Sequence, residues 1–271
     1  MSTAVRFESV RYRYPGGIEA LRGVSLAVDT GERVAIVGEN GAGKTTLVRH
    51  LNGIFRPTEG SVYVGETSTH GQTIAQLAAQ VGYVFQNPDE QLFARTVQAD
   101  VEFGPRNLGL TPDEAAARAA SALATVQLTA EAGAHPHHLS LSERKRVALA
   151  GVLAMRTPVV VLDEPTTGQD ARGVEMIAGV VESLTAEGRT IIAITHDMDF
   201  CAEHFDRVIV MAAGEILADG HPREVFAQAD ALARAAIEPP QLFRLAARLG
   251  WRSGPLTPAE FVDAFSAEAT A

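Results

Sequence analysis

Apolar residues in this chain recur in short unbroken runs: Val34–Val37, Val81–Phe85, Val159–Leu162, Ile191–Ile194 and Val208–Met211. Runs of four or five residues have the length of strands, and apolar residues at consecutive positions predict strands covered on both faces, as in a parallel sheet flanked by helices. Ahead of them, residues 3–37 read as short strands with turns at Pro15-Gly16-Gly17 and Asp29-Thr30-Gly31-Glu32. Ser61–Val64 alternates like an edge strand. Helices are predicted at about Lys44–Asn52, stopped by Gly53 and Pro57, and at about Thr73–Gln80.

From Asn87 to Thr157 the strand patterns vanish. Pro112-Asp113-Glu114 opens an Ala-rich helix, and a second is expected over Glu143–Met155. Strand-then-helix alternation returns at Val159–Asp163, which predicts an α/β core interrupted by a helical insert at about 87–158. After Pro239-Pro240, the positions Leu242, Phe243, Leu245, Ala246 and Leu249 share one helical face, suited to packing on the core or to a subunit contact.

Composition narrows the class. With 271 residues and 46% hydrophobic content, the chain can bury a core without disulfide or metal staples, and its one cysteine excludes a disulfide framework or a Cys-rich zinc site. Lys and Arg number 23 against 33 Asp and Glu, for a net charge of −10. Without a Lys/Arg-rich block, this balance argues against a surface for nucleic acid, although one pocket can still hold a few phosphates. No apolar run approaches the roughly 20 residues of a membrane span, and residues 1–20 lack the apolar core of a secretory leader.

The chemistry is concentrated where strands end. Gly38-Glu39-Asn40-Gly41-Ala42-Gly43-Lys44-Thr45 fits G-x-x-x-x-G-K-[ST] between a predicted strand and a predicted helix. Glycines let backbone N–H groups approach phosphate oxygens, Lys44 adds a full charge, and the Thr45 hydroxyl suits Mg²⁺. Val159–Leu162 runs into Asp163 and Glu164, at the strand end where α/β sheets bind ligands. Asp163 suits a Mg²⁺ contact and Glu164 a water to be oriented or deprotonated, unless the two acids cap the helix after Pro165. His196 and Gln86 also follow core strands. Either is placed to reach a phosphate, Mg²⁺ or water, or is a structural histidine and a plain loop amide. Tyr14 is an adenine-stacking ring or a half-buried strand aromatic.

Taken in order, these residues resemble the ATP-binding subunit of an ABC transporter over about Val5–Gly220. The resemblance makes Tyr14 the adenine-stacking aromatic and Gly38, Glu39, Asn40, Gly41, Ala42, Gly43, Lys44, Thr45 and Thr46 the Walker A phosphate site. It assigns Gln86 to the Q-loop, Leu139–Glu143 to the signature, Val159–Glu164 to Walker B, Gln169-Asp170 to the D-loop and His196 to the switch histidine. It implies ATP with Mg²⁺ held through Thr45, Gln86 and Asp163, and catalysis by Glu164 with His196 and Gln86. The implied fold is α/β: a P-loop NTPase (RecA-like) core with an N-terminal antiparallel β subdomain, an inserted α-helical subdomain and a short C-terminal helical extension. ATPase and extension divide at 1–220 and 221–271.

Val84–Phe93, with Thr96-Val97 and Phe103–Leu110, is most similar to the A component of energy-coupling factor (ECF) transporters. That likeness implies a second ABC ATPase subunit, a membrane T component contacted near Gln86–Phe93 and a substrate-binding S component. It places the chain on the cytoplasmic face of the cell membrane, importing a vitamin or metal ion, with no nucleic-acid partner. In the family, the signature of one subunit closes over ATP held by the other, which draws Ser140 and Ser142 into the nucleotide site. Here the signature reads Leu-Ser-Leu-Ser-Glu where the family has LSGGQ. A left-handed backbone at Ser142 would cost about 1–2 kcal/mol. Alternatives are a regulatory module with little turnover of its own and a soluble ABC ATPase outside transport.

Overall fold

The computed structural model describes residues 2–251 and 254–268, so residues 1, 252, 253 and 269–271 of the expected 1–220 and 221–271 units lie outside the described residues. In chain order, β1 (Thr3–Arg13), β2 (Glu19–Asp29) and β3 (Arg33–Val37) precede α1 (Lys44–Val48). Next come β4 (Glu59–Val64), β5 (Thr67–Ser68), α2 (Ile74–Ala78) and β6 (Val81–Val84). Three helices follow without a strand between them: α3 (Val97–Asn107), α4 (Pro112–Thr125) and α5 (Leu141–Met155). The chain then returns through β7 (Val159–Asp163), α6 (Ala171–Ala186), β8 (Thr190–Ile194), α7 (Met198–His204), β9 (Arg207–Ala212) and β10 (Glu215–Gly220). It closes with α8 (Pro222–Phe226), α9 (Ala229–Arg234), α10 (Gln241–Arg248) and α11 (Pro258–Glu268).

Two sheets result. β2-β1-β4-β5 is antiparallel, and β10-β9-β3-β8-β7-β6 is parallel except for β10, which pairs antiparallel with β9. The apolar runs belong to the second sheet because both of its faces are covered. On β3, Ala35 and Val37 pack toward α5 and α6, whereas Val34 and Ile36 enter a second core between the sheets. Leu47 and Leu51 fill that second core together with Leu21 of β2, each fully buried. Cys201 of α7 is fully buried in the first core, where burial pushes its thiol well above the ordinary range.

Local chemistry moves several expected boundaries. Ser61–Val64 belongs to β4, which lies inside its sheet between β1 and the two-residue β5 and is therefore not an edge strand. α1 ends at Val48 and not near Asn52. His50 Nδ1 lies 2.8 Å from the Thr46 carbonyl, while its own N–H bonds to Leu47, tightening the turn. Side-chain competition for a helix carbonyl accounts for the early stop. α5 begins at Leu141, two residues before the expected start, because Ser140 and Glu143 form a reciprocal capping box. In the tail, Ala246 is buried and Phe243 packs on the first core, but Leu245 and Leu249 are exposed, so the apolar stripe of α10 is only half used.

Leu21 supports the loop that opens α1: a Cβ added at Gly43 would lie 3.1 Å from it and 2.6 Å from the Ala20 carbonyl. Leu21→Ala is expected to cost about 2–5 kcal/mol through the cavity it leaves. Urea unfolding of the full chain measures this, and a loss under about 1 kcal/mol would show that the seam between the sheets relaxes.

Candidate functional site

β3 ends at Val37 and the backbone turns at once through Gly38–Gly43 into α1. Gly43 has φ 102°, a left-handed conformation that a side chain resists, and the Ala20 carbonyl leaves no room for one. The loop curls around the Lys44 ammonium. Lys44 is 6% exposed and donates hydrogen bonds to the carbonyls of Gly38 (2.6 Å) and Glu39 (2.9 Å). Burial lowers its pKa from the ordinary lysine value, and the nearby Glu164 and Asp163 oppose that shift. The first N–H groups of a helix have no partner within it, and here they follow the glycine turn.

β7 delivers the two acids beside this loop. The Thr45 hydroxyl lies 3.3 Å from Asp163 Oδ1, and the Tyr83 hydroxyl donates to Asp163 Oδ2 at 2.8 Å. Burial raises the Asp163 pKa, opposed first by the Tyr83 hydrogen bond. The Tyr83 phenol is itself pushed up, by burial and by the adjacent carboxylate. Glu164 is 4% exposed with φ 53°, in the left-handed region. Two hydrogen bonds hold that turn: the Glu164 N–H donates to Ile194, and the buried Lys145 ammonium donates to the Glu164 carbonyl at 3.0 Å. The Glu164 carboxylate receives the Thr167 hydroxyl at 3.1 Å and lies 3.0 Å from His196 Nε2. Burial raises its pKa, with His196 the strongest opposing influence.

These groups line one open cleft of about 420 Å³. Tyr14, Asn40, Gly41, Ala42, Gly43, Lys44, Thr45, Thr46, Gln86, Asp163, Glu164 and His196 all face it. Gly38 and Glu39 contribute carbonyls to Lys44 behind it. The Tyr14 hydroxyl lies 2.8 Å from Thr46 Oγ1, and its ring meets Tyr12 edge-on with centroids 5.0 Å apart. Ile18, 70% exposed, adds an apolar rim that the sequence did not single out. Tyr83 and Lys145 were also missed. Tyr83 pairs with Val161 in parallel register, so Asp163, two residues on, shares its face; that register is a tertiary fact.

Ser140 and Ser142 do not line this cleft. Ser140 caps α5, with its N–H and hydroxyl both donating to Glu143, and this holds the Glu143 carboxyl below the ordinary range. Ser142 lies in helix α5 and has no positive φ, so the strain expected for a left-handed residue there does not arise. Its hydroxyl donates to Gln169 Oε1 at 2.7 Å, and Gln169 Nε2 returns a bond to the Ser142 carbonyl at 3.3 Å.

A larger apolar groove of about 720 Å³ runs beside Phe85 and Gln91, between α2 and α3. Phe93 and Phe103 stand exposed on it, edge to face with centroids 4.7 Å apart, together with Ile54 and Ile74. Among the described residues no helix is long and apolar enough to cross a membrane.

The ABC transporter family model matches residues 21–167. The chain is 44% identical over 247 residues to the energy-coupling factor transporter ATP-binding protein EcfA of Methanothermobacter thermautotrophicus, covering 90% of this chain and 79% of that protein. It is 43% identical over 243 residues to the EcfA protein of Methanocaldococcus jannaschii, covering 89% and 87%. Among solved structures, it is similar to cbiO1 of Clostridium perfringens, part of the ABC transporter complex cbiONQ, with TM-score 0.76 and 36% identity over 92% of this chain and all of that one. It is also similar to a dimeric ATP-binding cassette in a post-hydrolysis state bound to ADP and Pi, with TM-score 0.75 and 28% identity over 80% and 98%.

The raised Glu164 pKa carries a sign. Stability that depends on the protonated carboxyl is complete below its ordinary pKa and is lost as pH rises through the raised value. Glu164→Gln removes that loss, so in nucleotide-free protein the variant is expected to gain stability relative to the parent as pH rises from below to above the ordinary carboxylate range. Paired urea titrations at both ends measure this, and a constant difference would show that Glu164 ionises without penalty.

Proposed function

The chain belongs to the ABC transporter ATPases, and on that premise we propose that it is the ATP-binding subunit of an ECF-type importer. It hydrolyses ATP at an interface between two ATPase subunits and drives uptake of a vitamin or metal ion through membrane partners. One observation carries the interface: Lys44, Thr45, Asp163, Glu164 and His196 converge on one cleft, whereas Ser140 and Ser142 lie outside it. A cleft that lacks its signature is completed by a second chain.

In this reading ATP phosphates displace the Gly38 and Glu39 carbonyls from Lys44, exchanging neutral acceptors for charged ones. Tyr14 and Ile18 flank the place for the base. Thr45 and Asp163 converge as oxygen donors, with Gln86 at the rim, a set that fits Mg²⁺. Bound there, Mg²⁺ would neutralise charge on the phosphates. Glu164, with its raised pKa, accepts the proton of the attacking water while His196 holds its carboxylate in place. The new bond joins the water oxygen to the γ-phosphorus as the bridging bond breaks, leaving ADP and phosphate.

The apolar groove supports the membrane partner. Its exposed Phe93, Phe103, Ile54 and Ile74 suit the apolar face of a helix from the T component, close to the region Gln86–Phe93. An S component would then choose the substrate. The subunit works peripherally at the cytoplasmic face, and its charge of −10 disfavours a role on nucleic acid.

The Ser142–Gln169 pair favours a second reading, in which the signature of this chain supports little turnover and an unlike ATPase supplies the productive one.

Glu164→Gln is expected to bind ATP, lower turnover at least about a hundredfold and accumulate a closed dimer by light scattering. Lys44→Ala should lose tight ATP binding. Turnover in Glu164→Gln equal to that of the parent would assign the water to another group. Ser142→Gly is expected to raise the ATP turnover of the chain alone; no gain, with parental turnover already rapid, removes the second reading.

A further inference from the structure

Apart from the nucleotide cleft, α4, the end of α5 and the end of α6 meet around a separate cavity of about 100 Å³. Three arginines line it from three segments. Arg118 comes from α4, Arg156 from the left-handed residue (φ 56°) that ends α5, and Arg189 from the turn before β8. Glu187 is the acid among the lining residues, half exposed and 3.1 Å from Arg189 Nε. Three positive charges against one negative leave about +2 at this spot, in a chain whose net charge is −10.

Arg189 is the informative group. Its side chain is 11% exposed, and its Nη1 is buried with no hydrogen-bond partner among the described residues. Burial pushes its pKa below the ordinary arginine value, Glu187 opposes the shift, and the nearby Arg156 and Arg118 add to it. On its own helix Arg118 has Glu114 for a neighbour, and the two attract. The Glu114 carboxylate one turn earlier is turned back to cap α4 at Thr111. A crowd of like charges around one cavity is relieved by one anion with several acceptor oxygens.

We propose that this cavity binds a phosphate-class oxyanion, either free inorganic phosphate or the phosphate group of a small phosphomonoester, through Arg118, Arg156 and Arg189. Its size fits a single phosphate group and not a nucleotide, for which the cleft beside Lys44 is four times larger. The hydroxyls of Ser121 and Ser183 line the same cavity and offer neutral donors for remaining oxygens. The bound anion ties α4 and α5 to the C-terminal end of α6. Ligand in the cavity would therefore resist any movement of the three-helix segment against the parallel sheet, which makes this a control point separate from the nucleotide.

Calorimetric titration with inorganic phosphate, and separately with glycerol phosphate, tests the site at constant ionic strength. Lys44→Ala removes the loop as a competing phosphate binder, and wild type saturated with a non-hydrolysable ATP analogue provides the same control with the native loop. One saturable phosphate is expected per chain in both. Arg118→Gln on the surface of α4, and Arg189→Gln, should each weaken it at least about tenfold. Glycerol phosphate that competes supports the monoester branch, and phosphate bound without such competition supports the free ion. Absence of saturable binding in both controls, or unchanged affinity in both arginine variants, overturns the proposal.

Discussion

A lysine ammonium and two carboxylates buried at the end of one parallel sheet set the terms for the rest of this molecule. Lys44, Asp163 and Glu164 are each under a tenth exposed, and burial pushes each toward its uncharged form. Close partners offset the cost of charge on such buried groups. Two carbonyls hold Lys44, a tyrosine and a threonine hold Asp163, and a histidine with a threonine hold Glu164. These partners fix where the three groups sit before any ligand enters.

That placement needs a rigid frame, and the two cores supply it. The inter-sheet core fixes the glycine loop from below through Leu21, Leu47 and Ile36. The other core fixes β7 and α5 against each other, which lets Lys145 hold the strained turn at Glu164 from the far side. The same helix carries Ser142 three residues before Lys145, and Ser140 caps its start. The first turns of one helix therefore join the strained turn at Glu164 to the Ser142–Gln169 pair.

Sequence and structure agree on the contiguous features at the strand ends. The glycine loop, the apolar runs and the acids that end β7 are contiguous features, and each occupies its expected place. What escaped reading was set by register or by a side chain competing with backbone. Tyr83 reaches Asp163 only because β6 and β7 pair in parallel, and α1 stops early because His50 takes the Thr46 carbonyl. The start of α5 was legible in principle, since Ser140-Leu141-Ser142-Glu143 is a capping-box pattern. Because the helix begins at Leu141, Ser142 takes helical geometry and no glycine is required there.

Cys201 has a practical bearing on all of this. The thiol is sealed in the core and its burial disfavours the thiolate, so it is poorly matched to alkylating or cross-linking reagents that need an accessible, ionised sulfur. The native polypeptide is accordingly a silent background for site-directed labelling. A single cysteine introduced on the exposed end of α5, or on the rim of the aromatic groove, would report distances and encounters without first having to strip the protein of its own.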